Sequence, residues 1–158
     1  MDIFSTQVPT GWYISRPMRS TIFRSKFAIR RSKPGAGYGL FATAPVSAGD
    51  FVLEYKGRHI PSGAADSLKT RYLFEIDSLW TIDGSSQGNT ARYINHSCAP
   101  NCEAEIRDGK VLIFAERDIE AGEELTIDYG EEYFKEFIEP KGCACVKCAH
   151  PRFAFWKR

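Results

Sequence analysis

Apolar residues in this chain recur mainly in short alternating runs. The clearest lies across residues 103–119, where Ala104 and Ile106, then Val111, Ile113 and Ala115, alternate with polar neighbours around Asp108-Gly109. Alternation puts apolar side chains on one face of a strand, and Asp-Gly supplies the left-handed residues of a tight hairpin. Shorter β-rich runs occupy residues 27–31, 51–56, 72–77, 80–83 and 125–129. Turns rich in Gly, Asp, Ser and Asn separate them at 46–50, 85–89 and 120–123, and Gly57 closes the second run. Residues 61–69 are small and polar, which suits a loop or a short helix. The period changes once: Tyr133, Phe134, Phe137 and Ile138 share a face at helical spacing, and Pro140 is expected to end that helix. The pattern predicts a mainly β fold of irregular topology with one late helix.

Two stretches break the pattern. Residues 92–102 read Arg-Tyr-Ile-Asn-His-Ser-Cys-Ala-Pro-Asn-Cys. Asn, His and Ser side chains bond nearby backbone and favour turns. After the apolar run 91–94, with two cysteines and a Pro-Asn turn, the stretch reads as the floor of a site. Gly35, Gly37 and Gly39 fall within five residues, and glycine permits positive φ and close approach of a ligand to the backbone. They do not form a dinucleotide fingerprint, and alone they read as a turn between strands.

The chain's 158 residues, 43% of them hydrophobic and 26% charged, suit one soluble domain. No apolar run is long enough to span a bilayer, and no signal-peptide pattern opens the chain, so an intracellular location is expected. A net charge of +1 hides an asymmetry. Residues 1–49 hold seven basic side chains against Asp2 alone, whereas residues 116–139 hold ten acids against Arg117 and Lys135. A solvated face accounts for most of these acids, but acids bordering a site would draw a basic peptide. The basic N-terminal stretch allows nucleic-acid contact but carries no reader motif. Its Trp12, Tyr13 and Phe23 suit an extension that packs onto the domain. Of the five cysteines, Cys143, Cys145 and Cys148 are too closely spaced for independent core residues, and inside a cell such spacing favours metal over disulfides.

In order along the chain stand Gly37-Tyr38-Gly39-Leu40-Phe41-Ala42, Glu54-Tyr55-Lys56-Gly57, Tyr72-Leu73-Phe74, Gly88-Asn89 leading to Cys98, and Glu124-Leu125-Thr126-Ile127-Asp128-Tyr129-Gly130, before the cysteine tail. This series resembles the SET-domain protein lysine methyltransferases, in particular minimal single-domain members with a post-SET zinc segment. The resemblance implies a β-clip-like SET fold of several small curled sheets, with a pseudoknot bringing residues 92–98 beside 125–130. It divides the chain into an N-terminal extension (1–26), a catalytic domain (27–139) and a post-SET segment (140–158). It implies methyl transfer from S-adenosylmethionine to a lysine ε-amine of a basic protein such as a histone tail. The location is then nuclear if the source is eukaryotic or the protein acts in a host, and otherwise cytoplasmic.

The resemblance also assigns residues. Tyr129 would orient the amine and the methyl group, and Tyr72 would line the lysine channel. Ala36, Gly37, Tyr38, Arg92, Asn95, His96 and Tyr129 would bound the cofactor site. Ile127 lacks a hydroxyl to hold a water beside the amine, so the pocket is expected to admit more than one methyl group. Phe153 would close the channel or pack near the adenine. Cys98 would join Cys143, Cys145 and Cys148 around zinc, although two residues rather than the family's four precede the last cysteine. That spacing leaves Cys102 or His150 as possible replacements for one ligand. The alternative from another class is a catalytically weak, zinc-stapled peptide-binding module on the same fold.

Overall fold

A computed structural model describes residues 26–149 apart from positions 34, 66 and 69. Residues 1–25, with Arg16, Arg19 and Arg24 of the basic N-terminal stretch and its Trp12, Tyr13 and Phe23, and 150–158, with His150 and Phe153, lie outside the described residues.

The fold is mainly β and built from four small sheets. β1 (Phe27–Arg31) and β2 (Tyr38–Ala42) form an antiparallel pair whose connecting turn has Gly35 and Gly37 at positive φ. β3 (Phe51–Tyr55), β9 (Lys110–Ala115) and β8 (Cys102–Arg107) form a three-stranded antiparallel sheet in that spatial order. β4 (Arg58–Pro61), β6 (Trp80–Asp83) and β5 (Leu73–Glu75) form another. β7 (Asn95–His96) pairs in parallel with β10 (Thr126–Ile127). This pairing brings together the two segments that the resemblance sets side by side. A short helix, α1 (Ser62–Ala65), fills part of the small polar stretch.

The β8–β9 hairpin follows its sequence signal. Asp108 (φ 50°) and Gly109 (φ 71°) both take left-handed backbone, as a two-residue turn matched to strand twist requires. Val111, Ile113 and Ala115 alternate into the core, where Leu40, Ile82, Ile94, Ile119 and Leu125 are also fully buried. Ile106 keeps the alternation with Cys102 and Ala104, but its own side chain is exposed near the end of β8.

Three local features go beyond the sequence pattern. The apolar run 91–94 is mostly a 3₁₀ turn (Thr90–Tyr93). β4 carries only one buried side chain, Ile60, and its pairing with β6 makes it a strand that its own pattern does not announce. The late helix is a composite: α2 (Glu131–Tyr133) widens into a π segment (Phe134–Ile138) and tightens into a 3₁₀ turn (Glu139–Lys141). Pro140 therefore sits inside the last turn, near its start, where its missing N–H costs little. One further helix, α3 (Val146–Ala149), lies in the cysteine tail.

Residues 122–127 run between two partners. The Gly122 N–H donates to the Ala42 carbonyl (2.8 Å) and the Leu125 N–H to the Leu40 carbonyl (2.8 Å), which lays the segment along β2. It then turns beside β7. Buried Asn101 clamps it: Asn101 Nδ2 donates to the Glu124 carbonyl (2.8 Å), and Asn101 Oδ1 accepts from the Thr126 N–H (2.8 Å). Asn101→Ala orphans both backbone groups. It is expected to lower unfolding free energy by about 2–4 kcal/mol, read by urea denaturation.

Candidate active site

Tyr129 follows β10 and is held at three points. Its hydroxyl donates to the Ile94 carbonyl (2.6 Å), and its N–H donates to His96 Nδ1 (3.2 Å). Its ring meets Tyr133 edge-on, 5.0 Å between centroids. Burial, reinforced by neighbouring tyrosines and Glu124, pushes its hydroxyl above the ordinary tyrosine range. The phenol therefore keeps its proton near neutrality and acts as an oriented dipole.

Two clefts meet at this residue. The first, about 240 Å³, is lined by Ser32, Ala36, Asn95, His96 and Glu124 among others. The second, about 210 Å³, is lined by Tyr55, Tyr72, Phe74, Ile94 and Ile127 among others. Arg71, Tyr129 and Tyr133 line both and so form the wall between them. On the late helical segment, Tyr133 stacks against Phe137 (4.7 Å), while Phe134 packs against the His96 ring (5.4 Å). The shared apolar face expected from the sequence is thus an aromatic cover over the site.

Of the residues assigned by resemblance to the cofactor side, Ala36, Asn95, His96 and Tyr129 come together in the first cleft. Gly37 shapes the turn at its edge with φ +77°. The Tyr38 side chain is half exposed, and its carbonyl accepts from Asn95 Nδ2 (3.0 Å). Arg92 is elsewhere. It lines the second cleft, with its guanidinium 3.9 Å from the Tyr72 ring centroid and Nη1 bonded to the Ser85 carbonyl. Arg92 lies within the 3₁₀ turn Thr90–Tyr93, whereas Asn95 follows that turn as the first residue of β7. Tyr72 and Ile127 also line the second cleft.

Sequence reasoning missed Ser32, Arg71 and Tyr133 as site residues. Ser32 and Arg71 carry no local signal. Tyr133 was visible only as part of a helix face. Glu124 stood inside a quoted motif without a role.

His96 links the site to the cysteines. Its Nδ1 accepts from Tyr129, so its proton sits on Nε2, which lies 3.3 Å from Cys98 Sγ and donates to it. Burial lowers the His96 pKa, with Asp128 opposing, so the ring is held neutral. Cys98, Cys143, Cys145 and Cys148 converge with all four sulfurs within 4.8 Å of one another. Cys98 Sγ lies 3.8 Å from Cys143 Sγ and 3.7 Å from Cys148 Sγ. A tetrahedron of thiolates at the usual zinc–sulfur bond length has edges of about 3.8 Å. The donor set therefore fits a tetrahedral ion. Cys102 is not part of it: the side chain is fully buried at the start of β8, and burial pushes its thiol up to about 12.

A family model of the SET domain matches residues 37–130, and the chain belongs to that family. It is 39% identical over 124 residues to the histone-lysine N-methyltransferase trithorax of Drosophila virilis, covering 71% of this chain and 3% of that protein. It is 42% identical over 120 residues to an H3 lysine-4 specific histone-lysine N-methyltransferase of Schizosaccharomyces pombe, covering 68% and 13%. With the histone-lysine N-methyltransferase set1 of Dictyostelium discoideum it shares 43% over 105 residues, covering 58% and 7%. The chain thus spans only a small part of these relatives' length.

The cysteine cluster gives a direct test. Titrating the reduced protein with Co²⁺ is expected to produce the visible d–d bands of a tetrahedral tetrathiolate, saturating at one equivalent. Cys148→Ser is expected to weaken binding at least about tenfold and shift the bands.

Proposed function

We propose that this chain transfers methyl groups from S-adenosylmethionine to the ε-amine of a lysine in a basic protein, with a histone tail as the leading candidate. The observation that carries the reading is Tyr129, braced against the Ile94 carbonyl in the wall shared by the two clefts. A donor and an acceptor entering from opposite sides would meet at its hydroxyl.

The first cleft suits the cofactor. It offers the cations Lys33 and Arg71, the carboxylate of Glu124 and the aromatic surfaces of Tyr133 and Phe137. Such a set matches an amino-acid end joined to a flat base. When bound, S-adenosylmethionine supplies an electrophilic methyl group on sulfur. The rest of the chemistry is positioning and proton balance by the chain. Holding two reactants in line can remove several kcal/mol of barrier. A free lysine, with a pKa of about 10.4, needs roughly 4–5 kcal/mol to become neutral at pH 7. The aromatic walls of the second cleft lower that cost by desolvation, and the Arg92 guanidinium beside Tyr72 acts in the same direction.

Exposed Asp128, Glu131 and Glu132 flank Tyr129 in sequence and would attract a basic substrate. Zinc is the ion proposed for the four cysteines, in a structural role. No described helix is long and apolar enough to cross a membrane, and similarity to histone methyltransferases supports action at chromatin.

Incubation with labelled cofactor and a panel of histones is expected to give methyl-lysine. Tyr129→Phe should lower the single-turnover rate at least about 100-fold. Tight peptide binding without turnover would favour the zinc-stapled binding module instead. With Ile127 at the second cleft, exhaustive reaction is expected to yield di- or trimethyl-lysine by mass spectrometry. Monomethyl product alone would overturn that assignment.

A further inference from the structure

Glu124 presents an anion to the first cleft with no cation set against it. Among the described residues its side chain has only neutral partners: Ser32 Oγ lies 2.7 and 2.8 Å from its two oxygens, and Asn95 Nδ2 lies 2.7 Å from Oε1. A partly buried carboxylate held in this way is stabilised by a cationic ligand.

The backbone makes room for it. Gly39 lies in β2 without positive φ, so glycine is not demanded by conformation there. A Cβ at that position would instead lie 2.2 Å from Glu124 Oε1 and 2.8 Å from its carboxyl carbon.

The carboxylate also orients Asn95. Asn95 Nδ2 donates to Glu124 Oε1 and to the Tyr38 carbonyl (3.0 Å), which uses both amide hydrogens. Two acceptors on that side fix which end of the amide is nitrogen. Oδ1 is therefore turned away from them, and no described residue donates to it.

We propose that Glu124 binds the α-ammonium group of the cofactor's methionine end and positions Asn95 to share it. The inference rests on the reading that the first cleft takes S-adenosylmethionine. The ammonium has N–H donors that a carboxylate and an amide oxygen can both accept. The sulfonium has none, and the cofactor's own carboxylate would be repelled. Lys33 and Arg71 line the same cleft and supply charge for that carboxylate.

The test is calorimetric binding of three ligands to wild type and Glu124→Gln. The ligands are S-adenosylmethionine, S-adenosylhomocysteine and S-adenosylhomocysteine lacking its α-amino group. Glutamine keeps an oxygen for Ser32 and Asn95, so the variant is expected to melt within a few degrees of wild type. In wild type, removing the amino group should weaken binding at least about tenfold. In the variant that penalty should fall below about threefold, and both amino-bearing ligands should weaken alike. Equal penalties in the two proteins would overturn the proposal. So would a variant that loses S-adenosylmethionine far more than S-adenosylhomocysteine, because the carboxylate would then answer the sulfonium. If the variant does not fold, the wild-type comparison still decides, since a penalty below threefold there removes any ammonium site. Wild type that binds none of the three would instead sink the methyltransferase reading itself.

Discussion

The backbone ladder of residues 122–127 organises the rest of the site. One half of the segment bonds to β2 and the other half lies beside β7, so one extended strand ties the glycine turn to the Asn-His-Ser stretch. Extended backbone sends successive side chains to opposite sides. Glu124 and Thr126 therefore line the first cleft, while Leu125 enters the core and Ile127 lines the second cleft. A single strand thus assigns residues to both compartments, and Tyr129 follows it at their junction. Asn101 matters because it bonds this segment's backbone on both sides of Leu125, using an amide that is itself buried. Losing that clamp would disturb both clefts together, because their walls share one register.

What could be read from the sequence was local. The Asp108-Gly109 hairpin was legible because a two-residue turn and its flanking alternation lie in one short window. The family motifs were legible because they are contiguous. Contacts between distant segments were not. Nothing near Gly39 says that its missing side chain makes room for Glu124, and nothing near Ser32 says that its hydroxyl faces the same carboxylate. β4 was invisible for a related reason: with Ile60 alone buried, its partner strand rather than its own pattern makes it extended. Arg92 lies against Tyr72 although the motif groups it with Asn95. Position in a motif fixes neighbours along the chain, whereas dihedral angles decide which cleft a side chain enters.

The cysteine cluster bears on the site through one imidazole. His96 receives the Tyr129 N–H on one nitrogen and donates to Cys98 on the other, so the ring is fixed by both contacts at once. A histidine held this way cannot reorient without releasing either the tyrosine backbone or the sulfur. The cysteines therefore belong to the same mechanical unit as the cleft wall. Cys143 and Cys145, which also line the first cleft, bring the tail into that unit.

The tail's need for such a staple follows from its burial. Across residues 131–149 the helical pieces are short, and Cys145 is the one buried residue. Apolar burial on that scale cannot offset the entropy of ordering some twenty residues, since fixing each backbone costs on the order of 1 kcal/mol or more. Ring contacts of Tyr133 with Tyr129 and Phe137, and of Phe134 with His96, help, but Tyr133, Phe134 and Phe137 remain partly open to solvent. Four thiols crowded within 4.8 Å add little attraction of their own as thiols. Under the zinc reading, the same four sulfurs become ligands whose binding energy is folding energy for the segment. The aromatic cover over Tyr129 would then be held by coordination at its far end, and loss of the ion would loosen the first cleft before it touched the β core.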